Sequence, residues 1–228
     1  MPTLQQTIAS FTRNLLENSF GKVPDKVDVY MDERSIIIHM EKFIGIVMTD
    51  LVDTEDMDAM RSIRELMVEH LFPSIIEYIQ EYTVFEVSGL YFDWDDDNLS
   101  GTLIGIMEND LYQTGKIQYK EMDRVNAAIS EVTNEVQKTP KAVYSYWADP
   151  DVLIVIREGL LLKLEKGFVK QGAVDVLRKV KRGIEKDVII HKARIPAILE
   201  RKASGLYLDW KFEDDKSVIV YVFEPEPA

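Results

Sequence analysis

Ser88-Gly89-Leu90-Tyr91-Phe92-Asp93-Trp94 recurs as Ser204-Gly205-Leu206-Tyr207-Leu208-Asp209-Trp210, 116 residues further on. Six of the seven positions are identical, and the chain holds only three tryptophans. A match of this kind fixes the architecture before any single element is read, because a repeated segment implies a repeated fold. The same offset carries Lys22, Pro24, Val27, Tyr30 and Ile38 onto Lys138, Pro140, Val143, Tyr146 and Ile154. Between these blocks the match improves with a shift of one residue. Met57-Asp58-Ala59-Met60-Arg61 then aligns with Val174-Asp175-Val176-Leu177-Arg178. A one-residue insertion in a loop ahead of a helix is expected, since loops tolerate insertions. The reading gives two copies, residues 1–112 and 117–228. A short polar linker lies near Asn109 to Tyr119, around Gln113-Thr114-Gly115-Lys116.

Each copy spells out the same order of elements. In the first, Leu4, Ile8, Phe11, Leu15 and Leu16 recur at helical spacing and predict a helix over Leu4 to Asn18. Gly21 suits its end, and Pro24 disfavours helix in the residue before it. Val27, Val29 and Met31 alternate with polar neighbours as a strand. Asp32-Glu33-Arg34 predicts a turn, and Ser35 to Glu41 a second strand. Asp53-Thr54-Glu55-Asp56 resembles a helix start, with Met57, Met60, Ile63, Met67 and Leu71 following at helical spacing. Pro73 must kink this helix or begin another. Val84 to Trp94 and Thr102 to Met107 are two further strands, joined by turn residues Asp95 to Asn98 with Ser100 and Gly101. The order α-β-β-α-β-β, repeated twice, predicts an α+β fold. Each copy is expected to form a mostly antiparallel four-stranded sheet with helices on one face. Whether the two sheets join is left open at this level.

Bulk properties exclude several functions. The 228 residues are 46% hydrophobic and 29% charged, as in a folded protein. There is no cysteine, which removes disulfides, thiol catalysis and thiolate metal sites. The opening Met-Pro-Thr-Leu-Gln-Gln is unlike a signal peptide, and no apolar run approaches the roughly 20 residues that span a bilayer. A cytoplasmic protein without direct membrane insertion is expected. The net charge of −13 opposes binding to nucleic acid. That charge is uneven: residues 1–112 carry 22 acids and 7 bases, whereas residues 113–228 carry 18 acids and 20 bases.

Gly21-Lys22-x-Pro24, Val27-x-Val29-Tyr30, the Ile36-Ile37-Ile38 strand, Arg61 and Arg64, and Glu86-Val87-Ser88-Gly89-Leu90-Tyr91-Phe92-Asp93 together form a pattern. It resembles the MpsC family, long catalogued as a domain of unknown function. Both halves are similar to it, the second being more diverged, with Gln137 in place of Gly21. The resemblance implies a soluble accessory role beside a bacterial system that generates membrane potential and handles cations or inorganic carbon. It implies a protein partner, such as a membrane transport complex. It carries no catalytic residues.

Candidate chemistry is sparse. On a strand, Tyr91 and Asp93 share one face, while Phe92 and Trp94 share the other. Tyr91 and Asp93, with Tyr207 and Asp209, could line two pseudo-symmetric ligand pockets; aromatic packing with a strand-terminal Asp is the plainer alternative. Gly89 and Gly205 mark a bulge or a close backbone approach. Asp93 to Asn98 lacks the glycine and glutamate of a calcium loop, so a solvated turn is expected. His39, His70 and His191 have no matching partners and suggest no metal site. No nucleophile elbow or phosphate loop is present around Ser88, Ser204 or Gly101 to Gly105. Arg178, Lys179, Lys181 and Arg182 form the one basic run, which could dock an acidic partner or simply be a solvated helix. No cofactor is called for. The expected function is a non-enzymatic regulatory or accessory protein, a pseudo-dimer within one chain that could also form a homo-oligomer. The alternative is a sensor holding a small molecule or ion between the copies.

Overall fold

The computed structural model describes residues 2–21, 23–43, 65–83, 86–95, 97–107 and 118–226. The expected helix start at Asp53 to Asp56, the aligned block Met57 to Arg61, and most of the linker lie outside them. The chain divides into two compact units, Met1–Asn109 and Asp110–Ala228.

The first unit opens with α1 (Leu4–Phe20). Thr3 caps it: its hydroxyl oxygen accepts the Gln6 N–H at 3.2 Å, and the Gln6 side chain accepts the Thr3 N–H at 2.9 Å. This reciprocal arrangement satisfies two otherwise orphaned donors. Gly21 ends the helix in the left-handed region, at φ 69°, and its N–H reaches the Glu17 carbonyl. Strands β1 (Lys26–Met31) and β2 (Ser35–Glu41) form a hairpin. The Asp32 carboxylate accepts the N–H groups of Arg34 and Ser35, each at 2.9 Å, which closes the turn. A π-helical turn (Leu66–Leu71) runs into α2 (Phe72–Gln80), with Pro73 in its first turn. The backbone stays helical through Leu71 and Phe72, so Pro73 stands where the hydrogen-bond pattern changes from π to α inside one continuous helical path. Strands β3 (Val87–Asp95) and β4 (Ser100–Met107) complete the sheet.

The second unit contains α3 (Met122–Val136), β5 (Ala142–Asp149), β6 (Val152–Glu158), α4 (Lys163–Lys170) and α5 (Val174–Val188). A π-helical turn (Ile189–Ala193), α6 (Ile195–Leu199), β7 (Ala203–Lys211) and β8 (Lys216–Phe223) follow. Between its hairpins it therefore has more helical segments than the single helix expected. The strand orders are β1-β2-β4-β3 and β5-β6-β8-β7, with every pairing antiparallel. The fold is α+β, in two similar halves.

One sequence correspondence needs correction. Ile38 belongs to the core beneath the helices of its unit. Ile154, its expected counterpart, lies on the opposite face from the helix-side residues Leu153 and Val155. The register explains this. Val29 faces Ile38, and Ser145 faces Val155. Strand β5 has an irregularity between Trp147 and Asp149, whereas β1 pairs without interruption from Lys26 to Met31. The second hairpin thus holds the extra residue, and a one-residue slip exchanges the faces of a strand.

In each unit the repeated tryptophan belongs to the helix-side core: the Trp94 ring lies 5.5 Å from Phe92 in the cluster that holds Phe72 and Ile75, and the Trp210 ring 5.9 Å from Phe212 in the cluster that holds Leu208 and Ile219. The other face of each sheet is buried too, at Ile37, Ile104 and Tyr91 in the first unit and Ile154, Val220 and Tyr207 in the second. Strands buried on both faces need unbroken apolar runs, which is why Ile36 to Ile38 and Val152 to Ile156 do not alternate.

The repeated Gly-Leu-Tyr has one geometry in both units. The strand register shifts between Val87 and Gly89, and again between Ala203 and Gly205. The ring of the tyrosine two residues on lies against the glycine. A β-carbon at Gly89 would meet Tyr91 Cε2 at 3.0 Å, and one at Gly205 would meet Tyr207 Cε2 at 2.8 Å. Tyr207 is fully buried and has no room to swing away. Gly205→Ala is expected to destabilise the second unit by about 1–3 kcal/mol, the usual effect of overpacking. Gly89→Ala should cost less. Denaturant midpoints of the two variants check both the size and the order.

Candidate functional site

Strand β7 is at the edge of its sheet, and no other strand pairs with its outer side among the described residues. Asp209 lies within it and is buried, as Asp93 is within β3. Neither ends its strand, contrary to the plainer reading of this residue. In the second unit α5 supplies a partner. Arg178 Nη1 donates to Asp209 Oδ1 and also to the Trp210 carbonyl at 3.0 Å, and its guanidinium lies 4.8 Å from the Phe212 ring centre. Lys186 Nζ lies 5.9 Å from the centre of the Tyr207 ring. Residues proposed for two separate roles, Arg178 for docking and Asp209 for ligand, thus meet in one ion pair. Tyr91 and Tyr207 are buried against their glycines, as described above.

The basic run divides. Arg178 is half-buried on the β7 edge, and Arg182 is half-buried. Lys179 is exposed. Lys181 turns inward and is only 5% exposed. This corrects the picture of a solvated cationic stripe: α5 buries the face that carries Leu177, Lys181 and Glu185.

Lys181 belongs to a buried network that centres on Arg157 and Glu185, which are 0% and 2% exposed. Arg157 sits on β6 and points into the helix layer. Its Nη2 donates to Glu185 Oε2 at 2.7 Å, its Nη1 to Thr133 Oγ1 at 2.9 Å and its Nε to Ser217 Oγ at 2.8 Å. Lys181 Nζ lies 2.9 Å from Glu185 Oε1 and 2.7 Å from Glu165 Oε1. Gln137 Nε2 also donates to Glu185 Oε1. Glu165 in turn accepts the Leu162 N–H at the start of α4, at 2.7 Å. Two cations face two carboxylates, so the group is neutral as a whole. Each charge is paired and hydrogen-bonded, the condition under which burial is tolerated.

Smaller polar clusters lie elsewhere in both units. The Tyr119 hydroxyl lies 2.7 Å from Ser145 Oγ, which donates to Asn126 Oδ1 at 2.6 Å. Burial pushes the Tyr119 pKa up to about 12, against the Ser145 hydrogen bond, so the phenol stays protonated at neutral pH. In the first unit Asp28, His39 and Glu41 bring ligand-type atoms within 4.8 Å of one another. Lys26 Nζ already serves this cluster as its cation, 2.7 Å from Asp28 and 3.9 Å from Glu41. In the turn after β3, the Asp95 carboxylate accepts the Asp97 N–H and the Asn98 side-chain carbonyl accepts the Ser100 N–H, both at 3.0 Å.

Residues 2–109 match the family model MpsC, described as a Na+-translocating membrane potential-generating system. The first unit belongs to the MpsC family. No curated protein and no solved structure matches the chain. Among the described residues no helix is long and apolar enough to cross a membrane. In the MpsC unit the core position facing Val27 is Met40, whereas Arg157 faces Val143 in the second unit. At this one position an apolar side chain in the first unit stands where the second unit has a buried cation.

Sequence reading missed Arg157, Glu165 and Glu185. One signal was available: Arg157 follows the apolar run Val152 to Ile156 at a helix-facing position. Lys181 and Glu185 are also one helical turn apart. Nothing in the sequence linked these residues to each other.

Removing one partner should leave an uncompensated buried charge. Glu185→Ala is expected to destabilise the second unit by about 3–5 kcal/mol, and Arg157→Met combined with Glu185→Leu to recover much of that loss. Urea unfolding of the single and double variants tests this.

His39 in the MpsC unit gives a pH signature. Burial lowers its pKa, with Lys26 acting in the same direction and Asp28 and Glu41 opposing. The folded state therefore favours the neutral imidazole. Its contribution to stability is complete above the unfolded-state pKa, near 6.5, and declines as pH falls below that value. His39→Gln should flatten the fall in thermal stability between neutral pH and about pH 5, and an unchanged profile would exclude His39 as its source.

Proposed function

We propose that this protein is a non-enzymatic accessory or regulatory component of a membrane transport system that sets the membrane potential. The family match of the first unit carries the reading, since the description of that family names a Na+-translocating, potential-generating system. The second unit is read as a diverged MpsC domain. Its support is the shared strand order, the repeated heptapeptide and the common Gly–Tyr packing. The chain is then a covalent pair of one kind of domain, acting in the cytoplasm through a protein partner.

The chemistry of the second unit agrees with a role other than catalysis. Arg157, Lys181, Glu165 and Glu185 satisfy one another inside the helix layer. Groups held in that way organise a fold, whereas a general acid or base must reach the proton of a substrate.

The test is made in the native cell. Deleting the protein should lower the membrane potential reported by a voltage-sensitive dye in Na+-rich medium, and resupplying the intact chain should restore it. The tagged chain should co-purify with integral membrane subunits. An unchanged potential, together with co-purification of soluble proteins alone, overturns the proposal.

A further inference from the structure

The helix layer of the second unit leaves part of its apolar surface uncovered. Leu164 on α4 is 73% exposed, and Phe168 one turn later is 41% exposed. Val176, Val180 and Ile184, at successive turns of α5, are each more than half exposed. These five side chains line one groove of about 270 Å³, which Val136 and Gln137 border at the end of α3. Added side chains at Gly167 and Gly183 would meet nothing within 4 Å, so the surface is open there as well. A contiguous apolar patch of this kind marks an interaction site more often than chance exposure.

We infer that this groove docks an acidic amphipathic helix from a protein partner. Shape is the first argument. Two helices with apolar residues one turn apart form a trough, and such troughs receive the apolar ridge of a third helix. Charge is the second. Residues 163–188 carry eight bases and four acids, a net of +4, in a chain whose total is −13. Lys181, Glu165 and Glu185 are consumed beneath the groove and balance Arg157 from β6. Arg178 is paired with Asp209 and Lys166 with Asp215, so the positive charge that remains on the outer part of the helix pair includes the exposed lysines. Lys163, Lys170 and Lys179 are exposed there and have no ion-pair partner among the described residues. Acids flanking an apolar helix ridge would meet these lysines and set its register. A flat bilayer fits a groove poorly, and the net charge of −13 on the chain disfavours approach to an anionic lipid surface.

The inference goes beyond the transport reading and does not depend on it. A failed membrane-potential test with intact peptide binding removes only the function; the reverse result removes only the groove. The probe is a fluorescent peptide of about 18 residues, five helical turns, with leucines on one face and glutamates elsewhere. A twin with lysine replacing glutamate is the control, and the protein used is the full chain. The acidic peptide should bind at least about tenfold more tightly than the basic one, and added salt should weaken it. Val180→Asp and Leu164→Asp should each weaken binding about tenfold or more without lowering the melting temperature. Equal affinity for the two peptides overturns the inference. So does tighter binding to phosphatidylglycerol vesicles, a Val180-dependent dimer in sedimentation, or unfolding of both aspartate variants, which would make the stripe part of the core.

Discussion

A guanidinium with no exposure to water sits between a sheet and its helices, and the second unit is organised around it. Arg157 cannot be buried alone, because an isolated charge in that environment is strongly disfavoured. Glu185 must therefore face it from α5, and Thr133 from α3 and Ser217 from β8 must complete its hydrogen bonds. Lys181 and Glu165 extend the same requirement to α4. Two helices and one neighbouring strand thus bond Arg157 directly, and a third helix joins through Lys181. Ionic groups of this kind contribute little net stability over a good apolar core, but they penalise wrong arrangements heavily.

The first unit meets the same architectural need by other means. Met40 takes the position of Arg157 and belongs to the same buried apolar cluster as Ile36, Ile38, Leu103 and Phe92. A flexible apolar side chain fills such space without demanding partners. The two halves share strand order and the Gly–Tyr contact, yet at this position one core is apolar where the other is ionic. The halves differ in the layer between sheet and helices, whereas the edge strand with its tryptophan has nearly the same residues in both. The edge is held differently from an open one: in the second unit Arg178 reaches around it to Asp209 and the Trp210 carbonyl, occupying groups that could otherwise recruit a foreign strand.

The helix pair α4 and α5 shows how one short basic stretch serves two ends. Its inward charges are neutralised by carboxylates a few ångströms away. Its outward charges flank exposed valine, isoleucine, leucine and phenylalanine. A binding surface on rigid helices whose inner faces are tied by ion pairs is preorganised, and preorganisation reduces the entropy lost on association.

Much of this was legible in the residues themselves. The heptapeptide, the apolar periodicities and the turn residues determined two similar α+β halves, their hairpins, the stop at Gly21 and the glycine-marked bulges. These are local consequences of backbone sterics and of side-chain spacing, and a sequence records them directly. Tertiary structure decided the rest. It placed the extra residue in the β5 hairpin, turned Lys181 inward, paired Arg178 with Asp209 and joined Arg157 to a glutamate 28 residues away. The reason is that a charged side chain reads the same in sequence whether it meets water or a buried counter-charge. Only the packing of distant segments determines which of the two surrounds it.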